Sequence, residues 1–259
     1  MEYYRHVYHF SKRWDGKTPL KGKDVIIYCE QGFGDIIQFI RYAAPLKEHG
    51  CKVLVHAPVE LHPVLQYVDG VDGLLDKKDP KIPEHDFHVL SLSLPEKLYG
   101  KPPYIPTAPY IKFPRAADIG NEWKRKIGVA WEGSVQNSMN DQRSCPLKHF
   151  KALVTPDTGL FMLQNKVISE QFCRDVEFDL HGINIEHFGH VAELINAVDY
   201  VVTVDTAALH LAGAMGKRTF GILCEDADPR WNVAKWYDSV VLIKSPKWED
   251  SLNMITQLV

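Results

Sequence analysis

Short apolar, β-branched runs alternate with helix-period stretches along this chain, and the alternation stops once and then restarts. The stop is KPPYIPTAPYIKFP at 101–114, where five prolines fall in fourteen residues. Proline removes an N–H donor and fixes φ, so no helix can run through this stretch and an extended crossing segment is expected. Alternation of strands and helices implies parallel sheets covered on both faces. Two such series predict two halves, residues 1–115 and 116–259, each with its own sheet.

In the first half, VIIYCE at Val25–Glu30 reads as a buried strand and KVLVHA at Lys52–Ala57 as a second. Between them Ile36, Ile37, Ile40, Ala43 and Ala44 keep helical spacing. Pro45 interrupts that helix, and His49-Gly50 closes it. A short helix at Leu61–Val68 and strands at Gly73–Leu75 and Phe87–Ser91 complete the half. The second half reads as a strand at Lys126–Trp131, a polar loop at Gly133–Cys145 and a helix at Pro146–Val154. It continues with a strand at Leu160–Gln164, a helix at Val191–Val198 and a strand at Tyr200–Asp205. A helix at Thr206–Met215 and strands at Arg218–Leu223 and Val240–Ile243 follow. A closing helix at Trp248–Leu258 has the first half as one candidate resting place.

Ligands of open α/β sheets sit beyond the carboxyl ends of the strands. One loop in each half satisfies that rule. Gln31-Gly32-Phe33-Gly34-Asp35 joins a strand to a helix. Its glycines permit a tight turn, and the helix start offers unbonded N–H groups. Ile37 stands where a dinucleotide fingerprint wants a third glycine, so the match to that motif is incomplete. Asp35 is either an acid complementing the helix N-terminus or a carboxylate able to take a proton from a hydroxyl. In the second half, an apolar strand ends in Asp205. Thr206 is a good N-cap, and Ala207, Ala208, Ala212, Gly213 and Ala214 let the next helix lie close to the sheet. N–H groups near Thr206 and Ala207 suit a diphosphate, and a structural turn with a capping threonine reads equally well. His210 on its own reads as a packed or surface histidine.

Several classes drop out. A net charge of −3 argues against a dedicated nucleic-acid binder. No apolar run is long enough to cross a membrane as a helix, and the aromatic, charged start MEYYRHVYHF does not read as a signal peptide. Cys29, Cys51, Cys145, Cys173 and Cys224 are odd in number and widely spaced. They read as small hydrophobes in a reducing cytoplasm. His181, His187 and His190 lie close together without HExxH or a suitably spaced carboxylate, so no metal is expected. His6 and His9 beside Tyr3, Tyr4 and Tyr8 read as terminal packing. Arg230-Trp231 and Trp236-Tyr237 read either as a platform for a base or sugar or as aromatics buried under a loop. The absence of GxSxG disfavours acyl transfer.

Taken in order, several motifs resemble one known domain. They are Gln31-Gly32-Phe33-Gly34-Asp35 with Gln38-Phe39-Ile40-Arg41-Tyr42, Asp86-Phe87-His88 leading to Ser93-Leu94-Pro95, and Gly128-Val129-Ala130-Trp131-Glu132-Gly133. Arg143-Ser144, Leu163-Gln164 and Val204-Asp205-Thr206-Ala207 with His210-Leu211-Ala212-Gly213-Ala214 complete the set. Over roughly residues 20–245 the chain resembles glycosyltransferase family 9, the heptosyltransferase-like domain, in the form fused behind tetratricopeptide repeats in bacteria.

The resemblance implies a GT-B fold: α/β, two Rossmann-like parallel-sheet halves with a cleft between them. It also implies an inverting, metal-independent transfer from a nucleoside-diphosphate sugar, with no cofactor. The N-terminal half would face the acceptor and the C-terminal half the donor. Asp35 maps onto the family's base, and His88 joins it as a catalytic candidate. Gly34, Trp131, Arg143, Gln164, Asp205, Thr206, Ala207 and His210 map onto donor-binding positions. Ala207 replaces the glycine usual there, and Lys148 is the second candidate after Arg143 for a basic phosphate partner. The implied partners are a nucleotide-sugar donor and a glycan, lipid-linked or protein acceptor. The implied location is the cytoplasm or the periphery of the inner membrane. At 259 residues the chain is short for such an enzyme, which predicts an acceptor portion reduced or supplied by another protein. A non-catalytic nucleotide- or glycan-binding module and an epimerase on the same scaffold are the alternatives.

Overall fold

The computed structural model describes residues 12–101, 104–134, 139–164 and 176–259. The chain divides into two units, Met1–Lys112 and Phe113–Val259. Each is built on a parallel five-stranded sheet.

In the first unit, β1 (Lys12–Arg13), β2 (Asp24–Tyr28), β3 (Lys52–Ala57), β4 (Gly73–Asp76) and β5 (Phe87–Leu90) take the order β1-β5-β2-β3-β4. The two-residue β1 carries no hydrophobic pattern that would mark it in the sequence; it adds to β5 at the sheet edge. Val25 and Ile27 point to one face of β2, Ile26 and Tyr28 to the other, and all four are fully buried. That is the signature of a strand covered on both sides. Strand order reverses between β2 and β5, so the loops leaving these two strands flank the switch point.

The helix after β2 comes in pieces: α1 (Phe33–Phe39), a 3₁₀ turn at Ile40–Tyr42, and α2 (Ala43–Lys47). Pro45 explains the break, because its ring crowds the Arg41 carbonyl that a continuous helix would bond. Ile36, Ile37, Ile40 and Ala43 are fully buried, as their spacing requires. Helices α3 (His62–Leu65) and α4 (Leu94–Tyr99) are short.

The described part of the proline-rich segment folds onto this unit. Arg41, only 1% exposed, donates from Nε to the Gln38 carbonyl at 2.9 Å, from Nη1 to that of Pro106 at 3.1 Å, and from Nη2 to the Tyr110 hydroxyl at 3.3 Å. Tyr110 in turn donates to the Ile37 carbonyl at 2.7 Å, and Tyr42 donates to that of Tyr104 at 3.0 Å.

In the second unit, β6 (Arg125–Ala130), β7 (Thr158–Met162), β8 (Tyr200–Val204), β9 (Thr219–Leu223) and β10 (Val240–Lys244) take the order β10-β9-β8-β6-β7. The order reverses between β6 and β8. The helices are α5 (Asn140–Arg143), α6 (Phe188–Ala197), α7 (Ala207–Ala214), α8 (Arg230–Val233) and α9 (Trp248–Thr256). The expected α-helix after Pro146 is a 3₁₀ helix over Leu147–Leu153. Its buried residues Leu147, Phe150 and Leu153 recur every third position, which aligns them on one side at three residues per turn. The closing helix α9 does not cross to the first half. Leu252 and Ile255 are fully buried in the core formed by Ile127, Val129, Phe150, Val202 and Ile222 of its own unit.

Among the described residues no helix is long and apolar enough to cross a membrane. Cys29, Cys51 and Cys145 are free and buried, and Cys224 is free and half-buried. Cys173, His6, His9, Tyr3, Tyr4 and Tyr8 lie outside the described residues.

Candidate functional site

In the second unit the loops after β6 and β8 meet at the switch point. Strand β8 ends at Val204, and Thr206 caps α7 with an extended backbone. Its hydroxyl accepts from the Ala208 N–H at 3.3 Å. Its carbonyl accepts from the Leu209 N–H at 3.1 Å. The Ala207 N–H occupies the first helical position, where the helix supplies no carbonyl.

Asp205, 7% exposed, sits behind this turn. Burial pushes its carboxyl pKa up; the indole of Trp231, donating to it, and the charge of Arg143 pull the other way. Arg143 Nη1 is 4.0 Å from Asp205 Oδ2. The guanidinium reaches there from the short helix α5 because residue 133 has no side chain. A Cβ on Gly133 would lie 2.9 Å from Asn140 Oδ1, 3.1 Å from Arg143 Nη2 and 3.9 Å from Thr206 Cγ2. Arg143 Nε is buried and has no hydrogen-bond partner among the described residues.

His210 stands one turn further along α7. Its ring stacks on Trp231 at 5.2 Å and 18°. Nδ1 is 2.9 Å from the Tyr237 hydroxyl, and Nε2 is 3.9 Å from Asp205 Oδ1. Asp228 is held well ionised, first by its hydrogen bond with Arg230, despite partial burial. Trp236 Nε1 donates to the Arg230 carbonyl at 2.9 Å, which ties α8 to the segment that carries Tyr237.

The structure therefore gathers Arg143, Asp205, Thr206, Ala207 and His210 at one turn. Trp131 and Gln164 lie beside them in a different capacity. Gln164 Oε1 accepts from the backbone N–H of Trp131 at 2.9 Å and of Glu132 at 3.3 Å, so this oxygen braces the chain as it leaves β6. Lys148 is exposed within the 3₁₀ helix. Sequence reading assigned no role to Asn140 or Gly133, and left Trp231 and Tyr237 between ligand platform and buried aromatics. Trp231 is both a stacking partner of His210 and a donor to Asp205.

The first unit supplies the other loop. Gly34 and Asp35 fall in the first turn of α1, and Asp35 Oδ2 accepts from the Gly32 N–H at 3.0 Å. Gln31 takes a left-handed backbone, φ 60°, to make the bend. Glu30, expected as the last residue of the strand, lies two residues beyond the end of β2 and is half-buried. Burial pushes its pKa up, against a hydrogen bond from the Leu92 backbone and the charges of Arg13 and Lys77. His88 is 5% exposed in the middle of β5, opposite Ile26 and edge-on to Tyr28 at 5.9 Å. It belongs to a ring cluster with Tyr28, His56 and His85 rather than to the loop that leaves the strand.

Among the described residues no group of three or more His, Cys, Asp or Glu is arranged to hold a metal. The His187 and His190 rings lie against each other at 4.0 Å.

Residues 186–253 match the model of glycosyltransferase family 9 (heptosyltransferase). That stretch carries α6, β8, the Asp205–Thr206 turn, α7, Trp231 and Tyr237. Solved structures extend the likeness to the fold of nearly the whole chain. A glycosyl transferase family 9 protein of Veillonella parvula aligns at 13% identity over 94% of this chain and 91% of its own, with a TM-score of 0.58. ADP-heptose lps heptosyltransferase II of E. coli aligns at 12% identity over 91% and 97%, with a TM-score of 0.64. E. coli heptosyltransferase WaaC with ADP aligns at 11% identity over 91% and 98%, also at 0.64. No curated protein sequence matches. The two parallel five-stranded sheets with their helices thus match the α/β fold of the GT-B heptosyltransferase structures.

Proposed function

We propose that this chain transfers a sugar from a nucleoside-diphosphate sugar to a hydroxyl acceptor, with inversion and without a metal. The observation that carries the reading is the convergence of Arg143, the α7 N-terminus and His210 at the β6/β8 switch point; the last two lie within the stretch that matches the family model, residues 186–253. A departing diphosphate gains negative charge as the glycosidic bond breaks. A guanidinium and a helix N-terminus stabilise charge that develops there. Asp35 takes the proton of the acceptor hydroxyl, and that oxygen attacks the anomeric carbon opposite the leaving group. The acceptor is a glycan, a lipid-linked saccharide or a protein, met at the cytoplasmic face. The motif order favours the form of the family fused to tetratricopeptide repeats.

ADP-heptose is the first donor to test, since the similar E. coli structures are an ADP-heptose heptosyltransferase and a heptosyltransferase with ADP. UDP and GDP sugars complete the panel. Purified protein is expected to release nucleoside diphosphate in the presence of acceptor, with Asp35→Asn lowering the rate by about 100-fold or more. Full transfer by Asp35→Asn would remove the base assignment.

A second reading, a binding module without turnover, is favoured by Ala207. Its methyl group stands at the first helical position, where the family's glycine allows closer approach of a phosphate. Tight nucleotide binding with no product on any acceptor would select it.

A further inference from the structure

Gly213 lies three residues after His210 on α7 and therefore shares its face. The space its side chain would fill belongs to Tyr237: a Cβ on Gly213 would lie 2.5 Å from Tyr237 Cγ. The Tyr237 ring, 2% exposed, is thereby seated directly on the helix backbone, with its hydroxyl 2.9 Å from His210 Nδ1. Trp231 fixes the plane of the imidazole by stacking on it. Two constraints hold one ring, one through its face and one through its edge.

The remaining nitrogen decides the chemistry. His210 Nε2 points toward the Asp205 carboxylate, 3.9 Å away, on the side of the α7 N-terminus. A neutral imidazole has one donor nitrogen and one acceptor nitrogen. A bare lone pair on Nε2 would face a carboxylate, and any anion at the turn, with repulsion. A proton on Nε2 faces both with attraction. Nδ1 must then accept, and the Tyr237 hydroxyl must donate to it.

We infer that Tyr237 is a positioning residue that holds His210 in the Nε2–H tautomer, so that the imidazole offers a donor to an anionic ligand at the Asp205–Thr206 turn. Fixing the tautomer through the other ring nitrogen is a general way of setting what a histidine presents. The ligand part rests on the reading of this turn as a diphosphate site; the tautomer part does not.

Histidine labelled with ¹⁵N, with the His210 signals assigned by their loss in His210→Gln, gives the first test. Long-range ¹H–¹⁵N correlation of the wild type is expected to show a single Nε2–H tautomer at His210, and Tyr237→Phe a mixture. A wild-type proton on Nδ1 overturns the inference. The second test is titration with ADP, UDP and GDP. Tyr237→Phe is expected to weaken the nucleotide that binds by about tenfold, the scale of one hydrogen bond, and to add no further loss in a His210→Ala background. Equal weakening in both backgrounds means that Tyr237 does not act through His210 and overturns the inference. If none of the three nucleotides binds the wild type, the donor-site reading fails, and the tautomer is still decided by the spectra.

Discussion

Arg143 and Asp205 leave opposite sides of the point where strand order reverses in the second sheet, and their charged groups stand 4.0 Å apart. Neither is well solvated, with side-chain exposures of 21% and 9%. At this separation and burial the pair is held by the fold as much as it holds the fold. Of the guanidinium donors, the buried Nε has no hydrogen-bond partner among the described residues.

That arrangement predicts a division between charge and geometry. Arg143→Ala is expected to weaken nucleoside-diphosphate binding by about 10- to 100-fold, the range for a charge-assisted, multidentate contact. Arg143→Lys should recover only part of it, because an ammonium supplies charge without the planar fork. Calorimetry with ADP distinguishes the outcomes, and wild-type affinity in Arg143→Ala would exclude this residue from the site.

Asp205 predicts a conflict between stability and function. Burial raises its folded pKa above the unfolded value, so the folded state binds the proton more tightly than the unfolded chain does. Stability from this group is therefore greatest below the unfolded pKa and declines as pH rises through the folded pKa. Above the folded pKa the ionised carboxylate is a net cost, which Asp205→Asn removes while leaving an oxygen for the Trp231 indole. Asp205→Asn is expected to melt higher than the wild type at pH 7.5 and to lose most transfer activity, as strained functional groups do. A lower melting temperature at pH 7.5 with the usual fold would refute the assignment of Asp205 as a destabilising group.

How much of this was legible beforehand follows the range of the interactions. Strand β3 runs over Lys52–Ala57, the very residues its β-branched run marks, because its apolar run alone announces a buried strand. The capping of α7 by Thr206 was also readable, being a matter of adjacent residues. The 3₁₀ form of Leu147–Leu153 was not read, although its three-residue spacing was present. Tyr237 and His210 are 27 residues apart and meet only because the chain returns over α7 at Gly213. No local pattern carries that pairing. His88 lay in a motif whose order was informative, yet position within β5 decides its surroundings, and mid-strand placement puts it among Tyr28, His56 and His85.

The burial of His56 in that ring cluster predicts an acid-sensitive first unit. His56 is 2% exposed, and its Nδ1 has no hydrogen-bond partner among the described residues. Burial first, and then the Lys77 charge, push its pKa down from 6.5 to about 4, against the pull of Asp76. The folded state thus refuses a proton that the unfolded state accepts. The contribution of His56 is whole above the unfolded value near 6.5, falls as pH drops from there to about 4, and is constant below. At about 1.4 kcal/mol per pH unit the loss is on the order of 3 kcal/mol. His56→Leu, similar in volume and unable to titrate, should flatten that part of the profile. Urea denaturation at pH 7 and pH 5 measures both, and an equal pH dependence in the two proteins would place the acid sensitivity elsewhere.

Gly213 gives the last and sharpest prediction, because its role is close approach and not backbone freedom. A methyl group there meets Tyr237 Cγ at 2.5 Å and ring carbons at 2.7 and 2.8 Å. These atoms belong to a rigid, buried ring, so the whole side chain must shift. Inserting even one carbon into such packing costs about 1–3 kcal/mol. The gain in helix propensity from glycine to alanine is about 1 kcal/mol, so Gly213→Ala should be destabilising on balance. Displacing Tyr237 also withdraws its hydroxyl from His210 Nδ1. Gly213→Ala is therefore expected to reproduce the mixed His210 tautomers of Tyr237→Phe with the tyrosine hydroxyl still present. Gly213→Ala combined with Tyr237→Leu should regain stability, since the smaller side chain makes room for the methyl group, but it should not regain the tautomer. Thermal melts and the histidine spectra of the three variants separate packing from positioning. Tautomer signals unchanged from wild type in Gly213→Ala would show that Tyr237 keeps its hold on His210 without this glycine.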